Sequence, residues 1–286
     1  LKPNGRRVIE RGVDVPPAQP ITLYSINDKP EGGRCIGTIG MPVRDSIKSA
    51  TAVSWLLTDP NFMGRGEWVA KQIIQGNILT YQRNELINRM DGDWIIFIDD
   101  DMTWQPDAIR QLVETQKTTD ADIVGGLCFQ RGAPYQPTLY YERNGLYTFA
   151  EDWEEGEILE VDATGMAFAL IHRRVFDRLM AHFANDSFPS LEERQAFRPI
   201  PFFRWEEQYG EDFLFCREAK EAGCRIVVDT SIEIGHITEV EIKKEHFWRE
   251  MALRPKEQQQ HKHKVNRELG LKSLTAREAK RRVGLL

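Results

Sequence analysis

Three carboxylates in a row, Asp99-Asp100-Asp101, follow directly on the apolar run Trp94 to Ile98. Carboxylates at the end of a buried strand repel one another and lose hydration, so they need a positive partner, and a divalent cation supplies one economically. In extended backbone Asp99 and Asp101 fall on one side and Asp100 on the other. Oxygen ligands of this kind suit Mg²⁺ or Mn²⁺, which keep positions open for substrate phosphates. A second pair, Glu211-Asp212, follows Gly210 at the start of a predicted helix. There it can cap the helix, or one carboxylate can take the proton from an attacking hydroxyl, and Asp212 is the favoured base of the two. His236 follows Gly235, which permits close approach, and its imidazole can complete the coordination of a metal. Without a metal, the aspartates read as an Asp-rich turn before Pro106 and His236 as a structural residue.

The elements that must position these residues alternate along the chain. The opening to Arg34 is rich in Pro and Gly and reads as an extended arm with one edge strand at Ile21 to Ile26. Cys35 to Ile39 reads as a strand and Met41 to Asp45 as a loop, with Ile47, Ala50, Val53, Trp55 and Leu57 forming the apolar face of an amphipathic helix. A helix over about Thr80 to Met90 leads into Trp94–Ile98, whose unbroken apolar character fits a strand covered on both faces. A helix from Pro106 to about Gln116 and a strand at Asp122–Gly125 follow. Beyond Phe129 come short strands near 138–141 and 158–162, an apolar stretch Met166–Ile171, and a helix near 174–182. Residues 184–209, rich in Pro and aromatics, suit a lid over substrate. A helix at 211–222 with Gly223 as its cap and a strand at 225–228 complete the pattern. Such alternation predicts an α/β fold, in which ligands bind just past the carboxyl ends of the strands.

Composition and charge narrow the class. With 286 residues, 41% hydrophobic and 29% charged, the chain is globular, of one to two domains, and unlike disordered or collagenous sequences. No apolar run approaches the roughly 18 residues of a membrane span, and the polar start Leu1–Arg11 lacks a signal-peptide core, so a cytoplasmic setting is expected. Cys35, Cys128, Cys216 and Cys224 form no CxxC pair and read as free thiols. The net charge of −6 hides an asymmetry: residues 241–286 carry 13 Lys/Arg against six Glu. That basic end reads as a helical tail, either solvated or in contact with a polyanion such as nucleic acid or an anionic membrane. No GxxxxGK[ST] phosphate loop is present, and Gly37 and Gly40 are too few for a dinucleotide fingerprint.

Taken in order, Ile36-Gly-Thr-Ile-Gly-Met-Pro42, Gln82-Arg83-Asn84, Phe97-Ile-Asp-Asp-Asp-Met102, Gly165 before an apolar strand, Gly210-Glu-Asp212 and Gly235-His236 resemble the GT-A class of nucleotide-sugar-dependent glycosyltransferases. The resemblance is to the small family-two-like enzymes of bacteria and bacteriophages and covers Cys35 to Val240. It implies a Rossmann-like, mostly parallel sheet flanked by helices at 35–240, with a nucleotide-binding half (35–129) and an acceptor half (130–240). The arm 1–34 would precede this domain and the basic helical extension 241–286 would follow it. It implies Thr38, Pro42 and Arg44 at the base and ribose, Arg83 and Asn84 at the diphosphate and sugar, and Asp99 and Asp101 bridging ribose and metal, with Asp100 a near-equal candidate. His236 would be the late metal ligand, Asp212 the base of an inverting transfer, and Glu211 a hydrogen-bond partner of acceptor or sugar. The implied cofactors are Mn²⁺ or Mg²⁺ and a nucleotide sugar, a UDP-sugar first. The QxxRW motif and membrane helices of processive members are missing, which points to one sugar per encounter. The implied acceptor stays open between a hydroxymethylated pyrimidine in phage DNA, a saccharide and a protein, and a phage protein would work in the host cytoplasm. Tyr135, Tyr140, Tyr141, Trp153 and Trp205 are candidates to stack on an acceptor ring. A nucleotidyltransferase on a related fold and a non-catalytic carbohydrate- or nucleic-acid-binding protein are the alternatives.

Overall fold

The computed structural model describes residues 22–26, 32–186, 200–206, 209–238, 241–253 and 281. Most of the expected lid (187–199 and 207–208), most of the arm and most of the basic tail lie outside the described residues.

Strand β4 (Trp94–Ile98) is the axis of the molecule, and all five of its residues are buried. Its side chains alternate between two apolar clusters, Ile95 and Phe97 in one and Trp94, Ile96 and Ile98 in the other, as a pleated strand covered on both faces requires. Around it an eight-stranded sheet runs in the order β1 (Thr22–Ile26), β3 (Glu67–Gln75), β2 (Arg34–Val43), β4, β11 (Phe168–His172), β6 (Ile123–Leu127), β12 (Ile226–Glu233), β9 (Ile158–Glu160). Strands β2, β3, β4, β6 and β12 point one way; β1, β9 and β11 oppose them. The sheet is therefore mixed, with one antiparallel strand, β11, inserted at its centre. Two small sheets are attached: β10 (Ala163–Thr164), β7 (Leu139–Arg143) and β8 (Leu146–Phe149), and β14 (Glu241–Ile242), β13 (Gly235–Ile237) and β5 (Met102–Thr103).

Helices α1 (Ser49–Leu56), α2 (Leu79–Asn88), α3 (Ala108–Thr119), α4 (Arg173–Asp186), α5 (Glu211–Glu221) and α6 (Lys244–Leu253) accompany the sheet. Helix α3 buries Ile109, Leu112 and Val113 as its periodicity dictates. Helix α1 does not follow the apolar face expected for it. Val53, Leu56 and Leu57 are exposed, Leu56 by 81%, while Thr51 and Ser54 are buried. The reason is polar anchoring: Ser54 Oγ accepts the Trp104 backbone N–H at 3.2 Å, and Thr58 Oγ1 accepts the Trp104 indole N–H at 3.1 Å. Strand β2 runs on through Met41–Val43, where a loop was expected, and β3 and β8 were not foreseen. Helix α5 ends at Gly223, whose φ of 78° is the left-handed cap anticipated there. Helix α6, at the start of the basic segment, is docked into the core through Phe247, Trp248 and Met251. The four cysteines are free. Among the described residues no helix is long and apolar enough to cross a membrane.

Helix α2 is unusual in that Gln82, Arg83, Asn84 and Glu85 are all buried. Polar side chains reach such positions only when each finds a partner. Gln82 Nε2 donates to the carbonyls of Val43 and Ile74, both at 2.7 Å, which ties α2 to the ends of β2 and β3. Asn84 donates to the Phe203 carbonyl at 2.7 Å and accepts the Phe203 N–H at 2.8 Å. Its amide is thus a backbone clamp on the 200–206 segment, and Asn84 does not line the cleft described below. Asn84→Ala should lower stability by about 2–3 kcal/mol in urea denaturation, because it strands two buried backbone groups. A change below about 0.5 kcal/mol, as for an ordinary surface position, would contradict the clamp.

Candidate active site

Past the carboxyl ends of β2, β3, β4 and β6 lies a cleft of about 440 Å³, within the size range of small-molecule sites. Pro42, Arg44, Asp99, Asp100, Asp101 and His236 line it, as do Lys48 and Arg131. Thr38 does not. Its side chain is fully buried and exchanges hydrogen bonds with the backbone of Asp91, ahead of β4 at the opposite edge of the sheet. The hydroxyl sits five residues before the end of β2, too early in the strand to reach the cleft.

The three aspartates do not alternate as extended backbone, because the chain turns at Asp100 and Asp101. Each is tied to a different neighbour. Asp99 continues the pairing with β11 through its N–H to the Ala167 carbonyl at 3.0 Å. The Asp100 carbonyl accepts the Lys48 N–H at 2.9 Å, and its carboxylate accepts the Arg44 N–H at 3.3 Å, joining it to the loop after β2. The Asp101 carbonyl accepts the Ile237 N–H at 2.8 Å, which brings β13 alongside.

The carboxylates diverge accordingly. Asp99 meets Arg83 Nη2 at 3.3 Å. Arg83, only 1% exposed, also pairs with Asp212 and, at 3.4 Å, with Glu211. Its guanidinium lies over the rings of Phe97 (5.9 Å) and Phe203 (5.5 Å), and its Nε has no hydrogen-bond partner among the described residues. Burial pulls the proton affinity of Arg83 down, but the charges of Asp212, Asp99 and Glu211 outweigh it and hold the group above the ordinary arginine value. Burial pushes Asp99 up to about 6, with Arg83 opposing and Asp212 and Asp101 adding to the rise. Glu211 is raised by burial and by the adjacent Asp212 charge. Asp212 is held at both oxygens, by Arg83 and by the Met166 N–H at 3.0 Å. Arg83 is therefore a buried counter-ion for three carboxylates, and it is not among the residues that line the cleft.

On the other side, Asp101 Oδ2 lies 3.5 Å from His236 Nε2 and 3.0 Å from Arg131 Nη1. Burial raises Asp101, but the hydrogen bond and charge of His236 and the charge of Arg131 prevail and hold it below the usual carboxylate value. Asp99, Asp101 and His236 thus do not converge as three ligands, and among the described residues no group of three His, Cys, Asp or Glu side chains is set to hold a metal. Asp101 and His236 remain as a pair. His236 Nδ1 donates to the Phe129 carbonyl at 2.7 Å, which leaves Nε2 as the nitrogen that faces Asp101 and is available to a cation. One carboxylate and one such imidazole fit a Mg²⁺ or Mn²⁺ ion that takes its remaining ligands from water and phosphate. Arg131 escaped the sequence reading, since nothing in its Gly- and Pro-containing loop marks it out.

Of the aromatic candidates, Tyr140 and Trp153 are core residues, and Trp153 packs on Trp248 at 5.0 Å. Trp205 is 62% exposed, and its ring is 3.8 Å from where a Cβ on Gly210 would stand, at the cap of the helix that begins with Glu211-Asp212.

No curated protein sequence matches the chain. Among solved structures the chain is similar to A197 from STIV (18% identity, TM-score 0.43, covering 72% of this chain and 86% of that one). It is also similar to S. aureus TarS in complex with UDP-GlcNAc (14%, 0.43, 77% and 65%) and to GalNAc-T7 with UDP, GalNAc and Mn²⁺ (11%, 0.47, 87% and 57%). The chain spans less than two thirds of the length of the last two. The model of glycosyl transferase family 2 matches residues 74–180, a segment that runs from the end of β3 through Arg83 and the three aspartates into α4. The matched segment, 107 of the 286 residues, is similar to glycosyl transferase family 2.

Proposed function

We propose that the chain moves a single sugar from a nucleoside diphosphate sugar, a UDP-sugar first, to an acceptor hydroxyl with inversion, and that Asp212 is the base. The observation that carries this reading is the convergence on one sheet edge of a cleft lined by Arg44, Lys48 and Arg131 with a carboxylate, Asp212, whose two oxygens are both fixed. The three cations suit a diphosphate, and Pro42, near the end of β2, lines the same cleft. A divalent ion held by Asp101 and His236 would stabilise the negative charge that develops on the departing diphosphate.

Transfer needs the acceptor O–H to lose its proton as its oxygen bonds to the anomeric carbon and the diphosphate oxygen leaves. Asp212 takes that proton. The Arg83 cluster makes the step tolerable, because a buried guanidinium left without a counter-ion would be costly. When Asp212 is neutralised, Asp99 and Glu211 still balance Arg83. The exposed Trp205 ring beside the helix cap is suited to stack on an acceptor sugar, which favours a saccharide acceptor.

Thermal-shift titration with UDP, GDP, CDP and TDP, with and without Mn²⁺, tests the donor site. One nucleotide should stabilise the protein in a metal-dependent way, and Asp101→Ala should abolish this. Asp212→Asn should keep donor affinity within about twofold and lower kcat by at least about a hundredfold, since the base acts in the chemical step. Equal loss of donor affinity in both variants would contradict the division of roles.

A further inference from the structure

Asp101 serves two partners with one oxygen. Oδ2 accepts Arg131 Nη1 at 3.0 Å and faces His236 Nε2 at 3.5 Å. A cation bridging Asp101 and His236 must approach that same oxygen, where the guanidinium already stands and would repel it. The Arg131 side chain is 60% exposed and touches Asp101 through a single nitrogen, so the contact is of the kind that costs little to break. The backbone beneath it is fixed. Gln130 N–H donates to the Gln136 carbonyl at 2.9 Å, Tyr135 N–H to the Gly132 carbonyl at 2.8 Å, and Thr138 N–H to the Cys128 carbonyl at 2.9 Å. Tyr135 also packs edge-on against His246 of α6 at 5.7 Å. A rigid loop therefore carries a long, loosely held cation at the rim of the cleft that Arg44 and Lys48 also line.

We propose that Arg131 is an exchangeable counter-ion. With the cleft empty it neutralises Asp101; when a divalent cation and a nucleoside diphosphate enter together, it yields Asp101 to the cation and moves onto the diphosphate. The inference rests on the donor reading above. Its consequence is a coupling: a free cation competes with the guanidinium and binds weakly, whereas cation and diphosphate strengthen each other, because the displaced arginine gains a new anion. Arg131 is then a residue that makes metal uptake conditional on donor, and the exchange involves no bond making beyond ion pairing.

The test uses the full chain, with Mn²⁺ binding followed by loss of the free-ion paramagnetic resonance signal and UDP binding by calorimetry, each alone and together. Arg131→Gln and Arg131→Lys are compared with wild type after thermal melts show that both fold. In Arg131→Gln, Mn²⁺ alone should bind about fivefold more tightly, and UDP in the presence of Mn²⁺ about tenfold more weakly, so that the mutual enhancement disappears. Arg131→Lys should retain most of the enhancement, since it keeps the charge. An unchanged Arg131→Gln, or one that weakens Mn²⁺ and UDP alike, overturns the exchange while leaving the donor site standing. Failure of wild type to bind UDP and Mn²⁺ in any combination overturns the donor reading and the exchange with it.

Discussion

The active edge of this protein depends on one buried cation. Arg83 projects from α2 into a space closed by the rings of Phe97 and Phe203 and is met there by Asp99 from the end of β4 and by Glu211 and Asp212 from the first turn of α5. Each carboxylate would be expensive at its position without the guanidinium, and the guanidinium would be expensive without them. The cluster therefore welds three elements far apart in sequence into one arrangement. Gln82 and Asn84, the neighbours of Arg83 in the chain, clamp the same helix to β2, β3 and the 200–206 segment. The polar face of α2 is an internal truss, and Asp212 is fixed because the truss is.

The aspartate triplet distributes this order. Asp99 belongs to the Arg83 cluster, Asp100 secures the loop after β2, and Asp101 belongs with His236 and Arg131. A turn at the strand end permits three directions where extended backbone allows two. The antiparallel β11 completes the arrangement: placed beside β4, it brings Ala167 against Asp99 and Met166 against Asp212. Asp212 and the Asp101–His236 pair are thereby adjacent but separate groups, with Asp99 between them.

Much of this was legible from residue types. The run Trp94–Ile98 ended where its aspartates demanded, the alternation gave the α/β architecture, and Gly223 closed α5 as a left-handed cap. Long-range pairing was not legible. The resemblance puts Arg83 at the diphosphate, and its burial among carboxylates has no local signal because it depends on α5, which lies 128 residues further along the chain. Thr38 and Asn84 sit in the right motifs yet spend their polar atoms on backbone groups. The apolar pattern of α1 misled because two hydroxyls, Ser54 and Thr58, anchor Trp104 and turn the helix over. Arg131 has no local signature, since its meaning arises only when β13 places His236 beside Asp101.

The central claim is that Arg83 serves the carboxylates and not the donor. Arg83→Lys separates the two most directly, because an ammonium cannot reproduce the fork that meets Asp99 and Asp212 but remains a cation for phosphate. Calorimetric UDP affinity in the presence of Mn²⁺, measured beside the single-turnover transfer rate, is the decisive pair of numbers. The account predicts UDP affinity within about twofold of wild type and a transfer rate lower by at least about a hundredfold. A fall in UDP affinity that matches the fall in rate would place Arg83 on the diphosphate and contradict it.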